Sequence, residues 1–327
     1  MKTASVFSCL GLGDGLISFV LAQNLHLNGY SVSVFHPFLS SMQDWFPHFT
    51  ISPFPQNIKE TLQNLDQTFI FLEKSESMAR VISCSLQFYR DKTTILNPIA
   101  TKNRDYPYWE EGKFDGRKSL VDNLYCFCSH KLRFPVCSKS NGIVPPQDLL
   151  HRKERKRVLI HPTSSREGKN WSWEKFLELA AALEDKGFQP QFLLSAKEKE
   201  KYIAPNDLSP SFTNLQELAS YVYESGYFIG NDSGPGHLAS CLNIPTVSIF
   251  RNRETARFWK PSWAQGSLVC PKPWIPNIKG MRWRDRYWQK WISVKDVLDS
   301  FFQLCEPCDK RFVHPHFREK DIVGKPE

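Results

Sequence analysis

The feature that most constrains the fold is an alternation of buried strands and amphipathic helices that occurs twice along the chain. In the first unit, an apolar strand leads through a glycine-rich turn at 11–15 into a helix and a second strand. This succession predicts parallel strands, because the helix must cross over between them. The predicted elements of the first unit are strands 4–10, 31–35, 68–72 and 93–96 and helices 16–28 and 79–88.

The alternation restarts at Val158 and continues to about residue 250. A capping-box pattern at Thr213 and Gln216 predicts the start of one of its helices. The other predicted elements are strands 158–161, 191–195, 227–230 and 246–250, a helix at 173–186 and a short helix before the last strand. The sequence therefore predicts an α/β protein with two Rossmann-like, doubly wound halves. In such folds, ligands bind at the carboxyl ends of the strands.

A chain of 327 residues has room for two such domains. We predict an N-terminal, acceptor-side domain at 1–150 and a C-terminal domain at 158–300. The basic run 151–157 (HRKERKR) is predicted to be a solvated linker, and 301–327 a polar tail. Between residues 98 and 150 the periodicity weakens, and we predict loops and an interdomain connection there.

The formal net charge of +8 favours acidic partners, namely phosphates, anionic lipid or nucleic acid. The nine cysteines are scattered and odd in number, which favours free thiols in a reducing compartment. No apolar run reaches the ~18 residues of a membrane span, and the N-terminus lacks the pattern of a signal peptide. We therefore predict a cytoplasmic protein whose contact with a membrane is peripheral at most.

Six tryptophans interleaved with arginines lie between residues 259 and 291. Such a stretch suits nucleic acid, because bases stack on aromatic rings. It equally suits terminal helices that pack across a domain interface, and we favour this second interpretation. Nucleic acid is accordingly disfavoured as a partner.

The glycine-rich turn contains Gly11, Gly13 and Gly15 around Asp14. Glycines after a strand let a ligand approach the backbone. A dinucleotide-binding oxidoreductase is excluded, because Leu16 occupies the third glycine position and no acid follows the second strand. Two roles remain open for Asp14 at this stage, a helix N-cap or a functional acid at the mouth of the sheet.

Two further segments place polar groups between a strand and a helix. Residues 160–171 carry Ser164, Ser165 and Lys169, and hydroxyls, an ammonium group and a helix N-terminus suit phosphate oxygens. Residues 230–237 (GNDSGPGH) form a tight turn whose backbone N–H groups can bind an anion. We predict that His237, in this turn, is not catalytic.

Together, in this order and spacing, the three segments resemble glycosyltransferase family 9, the bacterial heptosyltransferases, which have a GT-B fold. The matching segments are Leu12-Gly13-Asp14, His161 to Trp171, Gly230 to Ala239, and Leu194 to Glu200. The resemblance covers 4–35 and 158–300 well and the middle region poorly. The segment from Gly230 is the most specific of the four.

The resemblance implies inverting transfer from ADP-heptose to a lipopolysaccharide core acceptor. Asp14 then matches the general base, and the Glu200 carboxylate, or as a weaker alternative Glu198, matches the acid that holds the ribose. The diphosphate-binding residues are Ser164, Ser165 and Lys169, the last with a catalytic role. The donor-binding turn contributes Asp232, Ser233, Gly234 and His237. The expected partners are the nucleotide sugar, a lipid A/core glycolipid and, peripherally, the inner membrane.

No Asp-x-Asp motif occurs, which fits a mechanism without a metal or cofactor. Cys305 and Cys308, with His314 and His316, could bind zinc, but the two histidines are closer together than such ligands usually are. Two alternatives stay open: a related transferase with another donor or a protein acceptor, and a non-enzymatic nucleotide or nucleic-acid binder. The unrecognised middle region and the replacement of a family cysteine motif by residues 281–284 (MRWR) motivate them.

Overall fold

A computed structural model describes residues 1–97, 114–205, 208–278 and 281–305. They form two five-stranded sheets in which every strand pair is parallel. Numbered along the chain, the strands lie in the order 3-2-1-4-5 in the N-terminal sheet and 10-9-8-6-7 in the C-terminal sheet. Each order reverses once, and ligands bind at such reversals in doubly wound sheets. The predicted α/β class with two doubly wound halves is confirmed.

The N-terminal half follows the predicted elements closely and adds the short strand β3. Its strands are β1 Lys2–Phe7, β2 Tyr30–Phe35, β3 Thr50–Ser52, β4 Gln67–Phe71 and β5 Thr93–Leu96. Its helices are α1 Leu12–Leu27, α2 Ile58–Gln63, α3 Glu76–Phe88 and α4 Leu120–Cys126, with a π-helical turn at Phe127–Lys131. Much of the region predicted as loops, 98–113, lies outside the described residues.

The C-terminal half adds an edge strand at 266–269 and four helices, at 196–199, 253–259, 283–286 and 294–305, that the sequence pattern did not predict. Its strands are β6 Glu154–His161, β7 Gln189–Phe192, β8 Ser225–Asn231, β9 Thr246–Ile249 and β10 Gly266–Val269. Its helices are α5 Trp173–Asp185, α6 Ala196–Lys199, α7 Leu215–Tyr223, α8 Gly234–Cys241, α9 Arg253–Trp259, α10 Trp283–Arg286 and α11 Val294–Cys305.

Three predicted boundaries differ from the structure. The side chain of Asn214, not Thr213, caps α7 by accepting from the Glu217 N–H. Strand β6 begins at Glu154, so half of the predicted linker is strand, and Arg157 there stacks on Tyr221. Helix α11 runs to Cys305, and its Phe301 is fully buried, so 301–305 is core rather than tail. The predicted domain limits otherwise stay predictions.

The glycine-rich turn predicted at 11–15 is wrong, because helix α1 already begins at Leu12 and only Gly11 precedes it. Asp14 is therefore the third residue of the helix and not its N-cap. Gly13 and Gly15 instead allow close packing. A Cβ added at Gly13 would lie 2.6 Å from Cδ2 of His237, and one at Gly15 would lie 2.7 Å from Nε2 of His36.

The two halves share one continuous core along their seam. Phe19 and Leu21 of α1 pack in the same buried cluster as Leu238 and Ala239 of α8. Position 234 also requires a glycine, because a Cβ there would lie 2.8 Å from the Leu12 Cβ. The seam thus brings the first turns of α1 and α8 against each other.

We expect Gly13→Ala to destabilise the fold. The His237 ring is buried and sits edge-on to Trp263, so it cannot yield to the new methyl group. The overpacking should cost about 1–3 kcal/mol, more than the ~0.5–1 kcal/mol that alanine gains over glycine in a helix. Urea unfolding measures this, with Gly116→Ala as the control because nothing lies within 4 Å of its added Cβ. Equal or greater stability of Gly13→Ala would contradict the close packing.

Several smaller predictions can be compared with the structure. Cross-domain packing of the tryptophans is confirmed for Trp263, whose Nε1 donates to the Lys139 carbonyl (2.8 Å). Trp288 is buried within the C-terminal half, whereas Trp274 is 73% exposed. The eight cysteines within the described ranges are all free thiols. None of the helices in the described parts is long and apolar enough to cross a membrane.

Candidate active site

The candidate site lies where both sheets present their strand ends to the seam. In the C-terminal sheet, order reverses between β6 and β8, and the loops after these strands carry Lys169 and Asp232. In the N-terminal sheet, it reverses between β1 and β4, where the Leu10 N–H donates to the Glu73 carboxylate (2.6 Å). Asp14 follows directly in α1. The fold therefore brings together acids and a lysine from distant parts of the chain.

Lys169 and Asp232 form an ion pair in this site. The Nζ of Lys169 lies 3.0 Å from Oδ2 of Asp232, with 35% and 13% of the side chains exposed. The pair holds the ammonium group beside Asp232, two residues before α8 begins. A partly desolvated ammonium in this position can bind a phosphate oxygen.

The loop that carries Lys169 is fastened to β8 by an asparagine whose role we did not predict. The Asn231 side chain donates to the Pro162 carbonyl (2.5 Å) and accepts from the Trp171 N–H (3.0 Å), so it is hydrogen-bonded to both ends of the loop. Within the loop, the Ser164 hydroxyl donates to Asn170 (2.7 Å). Asn231 belongs to the Gly230 to Ala239 segment that resembles the family motif, and this position in the motif is the sequence signal that could have revealed its role.

A second set of contacts fixes the beginning of the same loop. The buried His161 ring lies 2.7 Å from the Leu193 carbonyl through Nδ1 and 3.1 Å from the Thr163 hydroxyl through Nε2. Thr163 in turn donates to Glu198. Burial opposes ionisation of Glu198, but hydrogen bonds from Thr163 and Ser195 outweigh it and lower the pKa of Glu198.

Two predicted residues remain apart from this cluster. Glu200 is exposed just past α6, and Ser165 is exposed in the loop. Between the two candidate acids, the structure connects Glu198 and not Glu200 to the loop, although sequence reasoning preferred Glu200. The ribose-binding role of either acid stays a prediction.

Asp14 lies in an environment that holds its proton unusually well. Burial, first, and the negative charges of Asp232 and Glu73 together raise the pKa of Asp14 from 3.8 to about 6, while the positive charge of Lys169 opposes them. These charges act on Asp14 from both halves of the molecule. A carboxylate with a raised pKa is a stronger base, so the site suits proton abstraction near neutral pH.

The first turn of α8 contains polar atoms that lack a partner. Ser233 Oγ and His237 Nδ1 are both buried without a hydrogen bond in the described part of the chain. Burial lowers the pKa of His237 to about 4, so its ring is neutral. Buried polar atoms are almost always paired, and a ligand with hydrogen-bonding groups would satisfy these two together with the free N–H groups of the helix.

A cavity of about 290 Å³ opens beside the ion pair. Its positively charged side chains are Arg166, Lys169 and Arg251, set against Asp232 and Asp285. Its remaining lining comes from Gly168 and from Ile249, Phe250, Asn252 and Thr255. Sequence reasoning missed Arg251, although its place directly after the strand β9 marks it as a strand-end residue.

Among the described residues, no group of three or more His, Cys, Asp or Glu could hold a metal ion. Of the four residues that suggested zinc, Cys305 is a free thiol, and Cys308, His314 and His316 lie outside the described residues. The predicted absence of a metal stays a prediction.

Two parallel, doubly wound sheets that meet with their strand ends at one seam have the architecture of the GT-B fold class. Residues 132–272 match the model of glycosyltransferase family 9 (heptosyltransferase), which confirms the predicted resemblance to that family. The chain is also 29% identical, over 140 residues, to lipopolysaccharide heptosyltransferase 3 of Escherichia coli. This stretch covers 39% of the chain and 39% of the relative, so less than half of either protein is matched.

Solved structures extend the likeness to both halves. E. coli ADP-heptose lps heptosyltransferase II superposes with a TM-score of 0.64 at 17% identity, covering 93% of this chain and 98% of that one. The iron-containing heptosyltransferase TibC, in complex with ADP-D-beta-D-heptose, gives 0.56 at 14% identity, covering 93% and 76%. At these identities the likeness establishes the fold, and the predicted GT-B fold is confirmed.

Proposed function

We propose that the protein is an inverting glycosyltransferase that transfers heptose from ADP-heptose to a lipopolysaccharide core acceptor. The observation that carries the proposal is Asp14, a half-buried acid on the N-terminal half that lies within electrostatic reach of the Lys169–Asp232 pair of the C-terminal half. A base and a phosphate-binding cation that face each other across a seam are what glycosyl transfer requires, because the acceptor and leaving group lie on opposite sides of the anomeric carbon.

The chemistry follows from these positions. The ionised Asp14 removes the proton from an acceptor hydroxyl as the hydroxyl oxygen bonds to the anomeric carbon. The bond from that carbon to the diphosphate oxygen breaks, and the electron pair leaves with ADP. Lys169 and the N–H groups at the start of α8 stabilise the charge that develops on the diphosphate. Attack opposite to the leaving group inverts the anomeric centre.

We assign the donor to the cavity beside the ion pair. Its arginines and Lys169 suit a diphosphate, and Ser233 and His237, in the turn and helix that follow its lining residue Asp232, supply unpaired polar atoms. ADP-heptose is the donor that the heptosyltransferase II structure is named for, and TibC holds an ADP-heptose. Because TibC contains iron, metal independence is a separate part of the proposal and needs its own test.

The acceptor side of the proposal rests on the relatives. The E. coli relative is named a lipopolysaccharide heptosyltransferase, which favours a lipid A/core glycolipid. An enzyme acting on that acceptor would work at the cytoplasmic face of the inner membrane, with peripheral contact. The net charge of +8 is compatible with such an anionic surface.

We expect ADP and ADP-heptose, but not UDP or GDP, to raise the melting temperature, with and without a chelator. A ligand at about 100 times its Kd adds about 2.7 kcal/mol to the stability of the folded state. Arg251→Met should weaken the shift because Arg251 lines the cavity, and Arg253→Met, an exposed neighbour outside the cavity lining, should leave it unchanged.

Each other outcome of this titration has a defined meaning. A shift with only another nucleotide would retain the fold and replace the donor. Loss of the ADP shift on chelation would contradict metal independence. No shift with any nucleotide would favour a non-enzymatic protein over the proposed transferase. Transfer assays with ADP-heptose and lipid A/core acceptors then test the reaction itself.

A further inference from the structure

The exposed apolar side chains of the molecule are concentrated in one place. Six of the fourteen large apolar side chains that are exposed within the described ranges lie between residues 274 and 291. They are Trp274, Ile278, Met281, Trp283, Tyr287 and Trp291. Clustered exposed apolar groups mark an interaction surface, whereas scattered ones need no explanation.

Backbone and side-chain contacts hold these groups together. Ile278 and Met281 pair through two backbone hydrogen bonds. The Arg284 guanidinium donates to the Pro273 carbonyl (2.8 Å), and Trp291 Nε1 donates to the Trp283 carbonyl (3.3 Å). We call residues 272–278 and 281–291 the aromatic–basic surface.

The charge of this surface is strongly positive. From 272 to 291 the sequence has six basic residues and a single acid, Asp285. The cations lie beside the rings: Lys272 is 5.3 Å from the Trp274 ring centroid, and Arg286 and Lys290 are 5.5 and 5.6 Å from that of Tyr287. Indole and phenol rings flanked by cations suit a bilayer interface with anionic headgroups.

Nucleic acid fits the surface less well. Base stacking uses the open faces of aromatic rings, and here the protein's own cations lie over the faces of Trp274 and Tyr287. Ile278 and Met281 add aliphatic groups that do not stack with bases but enter the acyl boundary of a lipid layer. The composition of the surface thus favours lipid.

The surface is fastened directly to the candidate donor loop. The Trp288 Nε1 donates to the Gly168 carbonyl (3.2 Å), and the Gln289 side chain donates to the Asn170 carbonyl (2.5 Å). Asp285, within the surface, lines the donor cavity. Whatever the surface binds is therefore held at the edge of the cavity.

We propose that the aromatic–basic surface docks the protein on an anionic lipid membrane and holds the donor cavity at the bilayer. The proposal rests on the proposed function in that a lipid-borne acceptor gives the docking its purpose. Lipid binding is measured without turnover, however, so failure of docking and failure of the transferase assignment are distinguishable.

The test is sedimentation of the full chain with vesicles of phosphatidylcholine, with or without phosphatidylglycerol. We expect binding only to the anionic vesicles, weakened about tenfold or more by the pair Trp274→Ala and Trp283→Ala. The apolar control is Leu150→Ala with Ile203→Ala, which removes two exposed aliphatic groups elsewhere and should change binding less than twofold.

A pair of double substitutions distinguishes binding by this surface from a general effect of the protein's net charge. Arg286→Gln with Lys290→Gln should weaken binding roughly fivefold per charge at low salt. Arg155→Gln with Lys156→Gln removes the same charge from the exposed basic run in β6 and should have little effect. Trp274→Ala alone keeps the test valid if the double tryptophan variant unfolds, because this ring is 73% exposed.

Three results would overturn the proposal. One is absence of binding to anionic vesicles, and a second is binding that the tryptophan variants leave unchanged. The third is salt-sensitive binding of a single-stranded oligonucleotide that the same variants abolish while vesicle binding persists, because the surface would then serve nucleic acid.

Discussion

Asp14→Asn is expected to abolish measurable transfer while ADP still binds. The amide cannot take the proton from the acceptor hydroxyl, and loss of a general base costs about 10²–10⁴-fold in kcat. ADP binding should persist because the donor groups lie on the other half of the molecule. Steady-state kinetics and nucleotide-induced melting shifts on the same preparation separate the two effects. Turnover within threefold of the parent would remove Asp14 from the mechanism.

The pKa of Asp14 gives this substitution a second signature. Asp14 acts as a base only when ionised, so activity of the parent should rise as pH increases through about 6 and then level off. The contribution of Asp14 to the folding stability changes with pH in the opposite direction to the activity. A raised folded-state pKa stabilises the fold fully below about pH 4, and this contribution is lost as pH rises through about 6.

It follows that Asp14→Asn should be more stable than the parent at pH 7.5, by on the order of 1–3 kcal/mol, while being inactive. Urea unfolding at pH 7.5 and at pH 4 checks the difference, which should shrink at the lower pH. A variant that is both inactive and less stable at pH 7.5 would indicate a structural role for Asp14. Gain of stability with loss of activity is the mark of a functional buried charge.

Lys169→Met is expected to lower kcat/KM about 10²–10³-fold, mostly through kcat. The ammonium group stabilises charge that grows on the leaving diphosphate, so it contributes more to the transition state than to donor binding. The substitution also leaves Asp232 without its cation, and the unpaired carboxylate would repel the diphosphate. The nucleotide melting shift should therefore shrink as well.

The control for this experiment is a lysine that pairs with the same loop. Lys201 is exposed and pairs with Glu167, which lies two residues before Lys169. Lys201→Met removes one positive charge nearby without touching the Lys169–Asp232 pair, and it should stay within twofold of the parent. Equal losses in both variants would mean that the loop needs net positive charge rather than an ammonium group at position 169.

The architecture was predictable because most strands and helices produce a local pattern of apolar and polar residues in the sequence. The buried runs at β1, β2, β8 and β9 are apolar and short, and each is followed by polar turn residues. Strands β3 and β10 escaped prediction because edge strands of three or four residues carry too little periodicity. Gly13 misled us because glycine is usual in turns, whereas here it serves a contact with His237 that only the tertiary fold creates.

The site residues were predictable only where a charged or polar side chain follows a strand and also belongs to a segment that resembles the family. Lys169 and Asp232 stand at strand ends and were found, and the structure joins them at 3.0 Å. Arg251 also follows a strand, but it belongs to none of the segments that carry the resemblance. The choice between Glu198 and Glu200 depends on which one faces Thr163, and two acids two residues apart cannot be told apart by pattern.

The continuous core along the seam has a consequence for how the chain is made. Synthesis proceeds from the N-terminus, and domains generally fold as they emerge. Here the start of α1, at Leu12 and Gly13, lies against Gly234 and His237 of α8, which leave the ribosome more than two hundred residues later. This side of the first half therefore stays uncovered until the helix α8 has been translated, and this interval is when the nascent protein most needs protection from aggregation.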